Sequence, residues 1–372
     1  MVSTIISILN SGLKPLGIIR LLAYRPRHFD DSVVSIPTKR GPLVVTDLHP
    51  TCATLGDLDS LPLELFNEII RCSDIHTVSA FQLLNRRARA LVISSFPYKL
   101  ISHNAPHVVA ALEKTGTASH FSVDDVFHAL STPSCHVCGK FGAHLWIPEC
   151  IRCCFPCLQE ASKLMPMSER DASAAFGLTK NGLSRVPIMT TLPGVYTRRQ
   201  RIYRRKRHLL SRERARQAAI DIHGGEEELA RYINHGTSKA KIAYDQRVAA
   251  LAAAAAMHNR TKNDPTRFMA VVPLPYLDLS LGITHIGLAC QGCEFVLDDE
   301  VSQHLPILSY RGDETYTTEG ILEHFNSCWG AQELWKAHQK MVSSPGNSSD
   351  DAISLYVRYY VESLHEDDSG PL

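Results

Sequence analysis

Residues 61–92 read LPLELFNEIIRCSDIHTVSAFQLLNRRARALV, and this stretch predicts three short helices. Pro62 suits a first helical turn, where the missing N–H has no intrahelical acceptor to lose, and Ser60 before it is a candidate cap. Leu61, Leu65, Ile69 and Cys72 recur at helical spacing along one face. Leu63, Phe66 and Ile70 form a second apolar face. Asp74 is placed to cap a helix over 76–84, and Asn85 breaks or re-caps the chain before a third helix over 86–95, with Ala88, Leu91 and Val92 inward. Three helices of this length cannot bury two apolar faces each, and chains below about 40 residues rarely fold unaided. The surplus must be covered, either by the remainder of the chain or by another protein.

The remainder is long enough to do so. At 372 residues the chain holds two or three domains. Apolar residues make up 44% and charged residues 21%, values of a globular protein, and a net charge of +1 gives no general pull toward nucleic acid or membrane. No apolar run reaches the roughly 18 residues of a membrane span; the richest, residues 248–257, is mostly alanine. The first 29 residues hold Lys14, Arg20, Arg25 and Arg27 and no acid. That composition fits either a mitochondrial presequence or a plain flexible N-terminus, against a cytoplasmic or nuclear location for the rest.

Of eleven cysteines, nine lie in two groups, and without an evident secretory signal metal ligation is favoured over disulfides. The first group is Cys135-x-x-Cys138, then Cys150, Cys153, Cys154 and Cys157. Two residues between thiolates let a tight turn aim both sulfurs at one ion while backbone N–H groups bond them. Gly139 eases that turn, because glycine reaches positive φ at little cost. Six cysteines compete for four places. Cys154 and Cys157, with Pro156 between them, are the preferred second pair, and Cys150 and Cys153 are the alternates. Residues 145–147 between the pairs read as a strand. The second group is Cys290-x-x-Cys293 and His324-x-x-x-Cys328, where a His and a Cys four apart share a helix face. Ile321, Leu322 and Phe325 supply that helix's packing side. Two zinc ions, both structural, follow from this reading, since four protein ligands leave no open position for substrate or activated water. With no HExxH, phosphate-cradling glycine loop or GxSxG, the chain reads as a non-enzyme.

Residues 198–216 hold ten Lys or Arg against Glu213. The core of the run, Arg204, Arg205, Lys206 and Arg207, suits a nuclear address or phosphate contacts, or is a solvated helix face leading into the next helix. Tyr196 and Tyr203 are its only aromatic neighbours, too few for base stacking, so nucleic acid is a secondary expectation. A helix is expected over 226–258, with Glu226, Glu227 and Glu228 in its first turn, where they can also pair with the basic run. Residues 343–351 read as a linker, 353–364 as a last helix or strand, and Glu366, Asp367 and Asp368 as a loose acidic end. No leucine-rich or WD repeat is present.

Leu61-Pro62-x-Glu64-Leu65, Ile69, Val78, Phe81, Leu84-Asn85-Arg86 and Leu91-Val92 resemble the F-box, the module by which substrate receptors dock on the Skp-type adaptor of Skp–cullin–F-box ubiquitin ligases. Cys72 departs from it, standing where the family more often has a larger aliphatic residue. The resemblance implies that Leu61, Pro62, Leu65, Ile69, Val78 and Leu84 meet the adaptor as a helix in a groove, and through it cullin, while the body presents an unknown protein substrate. The later motifs, among them Gly287-Leu288-Ala289-Cys290-Gln291-Gly292-Cys293, His324-Phe325-Asn326-Ser327-Cys328 and Leu334-Trp335, resemble F-box proteins of a fungal type with C-terminal cysteine motifs. Two ligand sets far apart in sequence are not the interleaved pattern of a RING finger, so recruitment of the conjugating enzyme is not expected. The expected fold is α+β and mostly helical: a flexible segment over 1–57, the F-box over 58–98, a zinc-knuckle region over 99–170 with a small zinc-ribbon-like element, a basic and long helical segment over 171–264, a second zinc-binding region over 265–340, and a linker with acidic tail over 341–372.

Overall fold

The computed structural model describes residues 15–26, 33–36, 53–196, 202–258, 264–298 and 313–342. It is mostly helical with small antiparallel sheets, an α+β arrangement as expected. Two compact units share the chain. One combines the described residues up to Arg25 with those from Leu288 onward, and the other takes everything between. This division departs from the expected boundaries: residues 58–98, 99–170 and the helical segment after them belong to one unit, and the second cysteine region folds with N-terminal residues. The expected linker and acidic tail lie outside the described residues.

The chain opens with α1 (Pro15–Leu22) and β1 (Ala23–Tyr24), which belong to the first unit. The expectation of a flexible segment over 1–57 fails where the structure describes it. Val33, Val34 and Ile36 are buried in the second unit, and the Val34 N–H donates to the Val271 carbonyl at 2.8 Å. A 3₁₀ turn, Gly56–Ser60, precedes α2 (Leu63–Cys72), α3 (Ile75–Phe81) and α4 (Arg86–Ser94). Ser60 does not cap α2; its hydroxyl donates to the Asp57 carbonyl, and Pro62 stands at the N-cap. Asp74 and Asn85 cap as expected, accepting from the N–H groups of Thr77 and Ala88 at 2.8 Å each. Helices α5 (Phe96–Asn104), α6 (Pro106–Thr115) and α7 (Val123–Ser131) then cover the inner face. Phe66, Ile70, Ile75, Val78 and Val92 join one core with Tyr98, Ile101, Leu112 and Leu130. The three-helix segment is therefore half covered by its own chain.

Next come β2 (His144–Trp146), β3 (Ile151–Cys153) and α8 (Phe155–Glu160), then β4 (Pro166–Ser168), α9 (Glu169–Phe176), α10 (Lys180–Leu183), β5 (Ile188–Thr190), β6 (Gly194–Val195), β7 (Ile202–Tyr203) and β8 (His208–Ser211). The second unit closes with α11 (Arg212–His223), α12 (Glu226–His235), α13 (Lys239–His258), α14 (Pro265–Met269), β9 (Val271–Pro273), β10 (Tyr276–Asp278) and β11 (Ile283–His285). Strand β2 lies between β3 and β9, with Leu145 opposite Arg152 on one side and Val272 on the other. Strand β8 lies between β4 and β5, and β6–β7 and β10–β11 are two-stranded. A second core, with Met167, Phe176, Leu183, Leu210 and Leu229, sits under α9–α12.

Two expectations for this region are corrected. Arg204 to Arg207 occupy the turn between β7 and β8, and the helix starts only at Arg212, because Ser211 caps it by accepting from the Arg214 N–H at 3.1 Å. The helix over 226–258 is two helices. It stops at Gly236, and Ser238 starts the next turn by accepting from the Lys241 N–H at 3.2 Å. The basic run and the three glutamates do meet, through an Arg216–Glu226 ion pair.

Arg152 organises the middle of this unit. Its guanidinium is buried, and among the described residues it donates to carbonyls rather than to a carboxylate: Ala129 and Leu130 at the end of α7, Gly142, and Leu274 and Pro275 between β9 and β10. A planar fork of N–H donors suits that convergence of acceptors.

In the first unit, β12 (Ala289–Cys290), α15 (Gln291–Asp298), α16 (Thr318–Ser327) and α17 (Trp329–Val342) complete the fold. Strand β1 pairs antiparallel with β12, Ala23 opposite Cys290 and Tyr24 opposite Ala289. Among the described residues, no helix is long and apolar enough to cross a membrane.

Candidate metal centres and a docking face

The first cysteine group converges on Cys135, Cys138, Cys154 and Cys157, whose sulfurs all lie within 4.8 Å of one another. The turn after α7 carries the first pair, and Gly139 stands there at φ 75° as expected. Cys154 is the N-cap of α8 and Cys157 sits in that helix's first turn, with Pro156 at a position where no N–H is needed. The Cys138 and Cys154 sulfurs are 3.6 Å apart. That is too long for a disulfide and close to the roughly 3.8 Å between two thiolates that hold one ion tetrahedrally at about 2.3 Å. The Val137 N–H donates to the Cys135 sulfur at 3.4 Å. Hydrogen bonding with the Cys154 thiol, helped by backbone N–H groups, pulls the Cys135 thiol down to about 4, and the same bond pushes Cys154 up.

Cys150 and Cys153 stay out of this group. Cys150 takes a left-handed conformation at φ 55°, is buried, and burial pushes its thiol up. Cys153, on β3, is buried with its thiol pushed up for the same reason. The preferred ligand set is therefore the one the chain brings together, and the alternates are packing residues.

The second group brings Cys290, Cys293, His324 and Cys328 within the same 4.8 Å. Cys290 ends β12, Cys293 lies in the first turn of α15, His324 is in the last turn of α16, and Cys328 is that helix's C-cap. Cys293 is 3.2 Å from His324 Nε2 and 3.6 Å from Cys328, and Cys290 is 3.8 Å from Cys328. The Tyr316 ring stacks on His324 at 4.6 Å and fixes the imidazole plane. Hydrogen bonds from Cys290 and Cys293 draw the Cys328 thiol well below its usual range. Gly292, between the two cysteines, lies against α17: a Cβ there would stand 2.0 Å from the Ala331 backbone nitrogen. Cysteine spacing alone did not reveal this requirement for glycine. Each group offers four soft or borderline donors and could hold one metal ion.

The outer face of the 61–92 segment is the third candidate site. Leu65 is 53% exposed, Ile69 47% and Leu84 68%; Leu63, Cys72, Pro62 and Leu83 are exposed beside them, and Leu61 is half-buried. The Phe66 and Phe81 rings are 5.9 Å apart, so the end of α3 and the Leu83–Leu84 turn stand next to α2. Asn85 donates to the Thr54 carbonyl and Arg87 pairs with Asp59, which holds the 3₁₀ turn and its exposed Leu58 at the same edge. These exposed apolar residues make the segment a candidate interaction surface. Val78 is not part of it: it is fully buried in the core, so its expected place on the docking face is withdrawn. Leu63 does not share the burial of Phe66 and Ile70, with which its spacing groups it: it is exposed while they are buried.

Arg204, Arg205, Lys206 and Arg207 are all exposed and make no ion pair with any described residue. Tyr203 is half-buried against Tyr196, ring centroids 6.3 Å apart. No family model, curated protein or solved structure matches this chain.

Proposed function

We propose that this chain is an F-box-type substrate receptor, a non-enzymatic adaptor whose Leu61–Leu84 face docks on the Skp-type subunit of a ubiquitin ligase and whose zinc-held body presents a target protein. The observation that carries it is the exposed row of Leu65, Ile69 and Leu84, with half-buried Leu61 at its start, on helices whose other face is packed. An isolated domain has no reason to leave that row uncovered, and its order matches the F-box pattern. Helix-in-groove docking buries such a row on the partner. Zinc suits both centres: three or four thiolates, with one imidazole in the second, make a tetrahedral donor set, and four protein ligands mark a structural role. Cys135, Cys138, Cys154 and Cys157 would hold one ion in the zinc-ribbon-like region, and Cys290, Cys293, His324 and Cys328 the other.

Changing Leu61 and Pro62 together to alanine tests the docking. Co-purification with the Skp-type adaptor is expected to be lost while zinc content and melting temperature hold. Undiminished binding would sink the proposal. The unpaired Arg204–Arg207 turn favours a second reading, a zinc-stabilised nucleic-acid-binding or regulatory scaffold. Under that reading nucleic-acid affinity falls steeply with salt, and the slope shrinks when these residues are neutralised.

A further inference from the structure

Helix α1 buries one apolar side and turns its single charged residue outward. Ile18 and Leu22 are each 1% exposed, while Arg20 faces solvent. What buries them is the surroundings of the second metal centre. Ile18, Leu22 and Ala23 share a core with the ligands Cys290, Cys293 and Cys328 and with Ile321, Phe325 and Trp335. Strand β1 continues the attachment by pairing Ala23 with the ligand Cys290 itself and Tyr24 with Ala289. Among the described residues, ten buried side chains form this core, with Ile19, Leu21, Leu288, Tyr316, Leu322 and Leu334 packed against them, and three of the ten are ligand cysteines. The segment is therefore packed on the ligands themselves, and a four-ligand ion contributes its binding free energy to folding.

We propose that the second centre is a metal-dependent clasp on the N-terminal segment. With the ion bound, residues 15–24 are locked onto α15–α17. When the ion is removed, α1 and β1 detach while the second unit stays folded. Residues 15–24 are then available or hidden according to metal occupancy. The inference rests on the reading that Cys290, Cys293, His324 and Cys328 bind zinc.

Hydrogen exchange followed by mass spectrometry on the full-length, zinc-loaded protein tests it, with zinc content measured on the same samples. In Cys328→Ser, peptides covering 15–24 are expected to exchange at least tenfold faster than in the wild type, with one zinc lost and residues 98–130 unchanged. In His324→Cys, which keeps four ligands, protection of 15–24 is expected to persist, and likewise in Cys138→Ser, which touches only the first centre. If Cys328→Ser loses its ion but 15–24 stay protected, the clasp is wrong though the zinc site stands. If its zinc content equals that of the wild type, the zinc reading falls and the clasp with it. Deprotection of 98–130 alongside 15–24, or deprotection of 15–24 in Cys138→Ser, would also overturn the proposal.

Discussion

Gly292 shows how narrowly a single residue can fix a site. It lets α15 approach the Gly330–Ala331 backbone, and any side chain there collides with main chain that cannot give way. Gly292→Ala should cost about 1–3 kcal/mol, the range of core overpacking, and lower zinc content from two ions per chain to one, read by elemental analysis. Arg152 makes a similar case in the second unit. Its carbonyl acceptors come from α7, from Gly142 and from the β9–β10 link. Lysine keeps the charge but cannot fan across them, so Arg152→Lys should destabilise by about 1–3 kcal/mol per carbonyl left dry, seen as a lower thermal midpoint with zinc content retained. The cysteines divide cleanly at this scale: Cys154→Ser should lose one ion and Cys150→Ala should lose none.

At the scale of elements, the α2–α4 segment has two faces with opposite expected behaviour. Val78→Ala empties packed volume and should cost about 2 kcal/mol, measured by denaturant unfolding. Leu84→Ala removes an exposed side chain and should change stability by less than about 0.5 kcal/mol, yet weaken adaptor binding. The sequence made the helices and their caps legible, because Asp74 and Asn85 act on N–H groups three residues away. It also made the ligand sets legible, because thiolates two residues apart converge through a local turn. The assignment of faces was not legible. Val78 turns inward because α5–α7, later in the chain, happen to cover that side, and no local spacing encodes the cover. The break at Gly236 was overlooked because the alanine-rich stretch after it carries a strong helical signal through the gap.

Over the whole molecule, the connections that sequence reading lost are the distant ones. Strand β2 pairs with β9 across more than a hundred residues, and β1 pairs with β12 across almost the full described length. Neither short strand has a pattern of its own strong enough to announce a partner. Residues 15–24 read as loose because Ile18, Leu22 and Ala23 find cover beside Cys290 and Cys328, distant in sequence. The resulting picture is a chain in two units, each holding one group of four residues that could bind a metal ion, with the exposed leucines of the α2–α4 segment on the larger unit. Elemental analysis of freshly purified, reduced protein tests this picture most directly. Two zinc ions per chain are expected, falling to one in Cys138→Ser or Cys328→Ser and to none in the double variant. Reduced, folded wild-type protein that carries no zinc and binds none when it is supplied would contradict it.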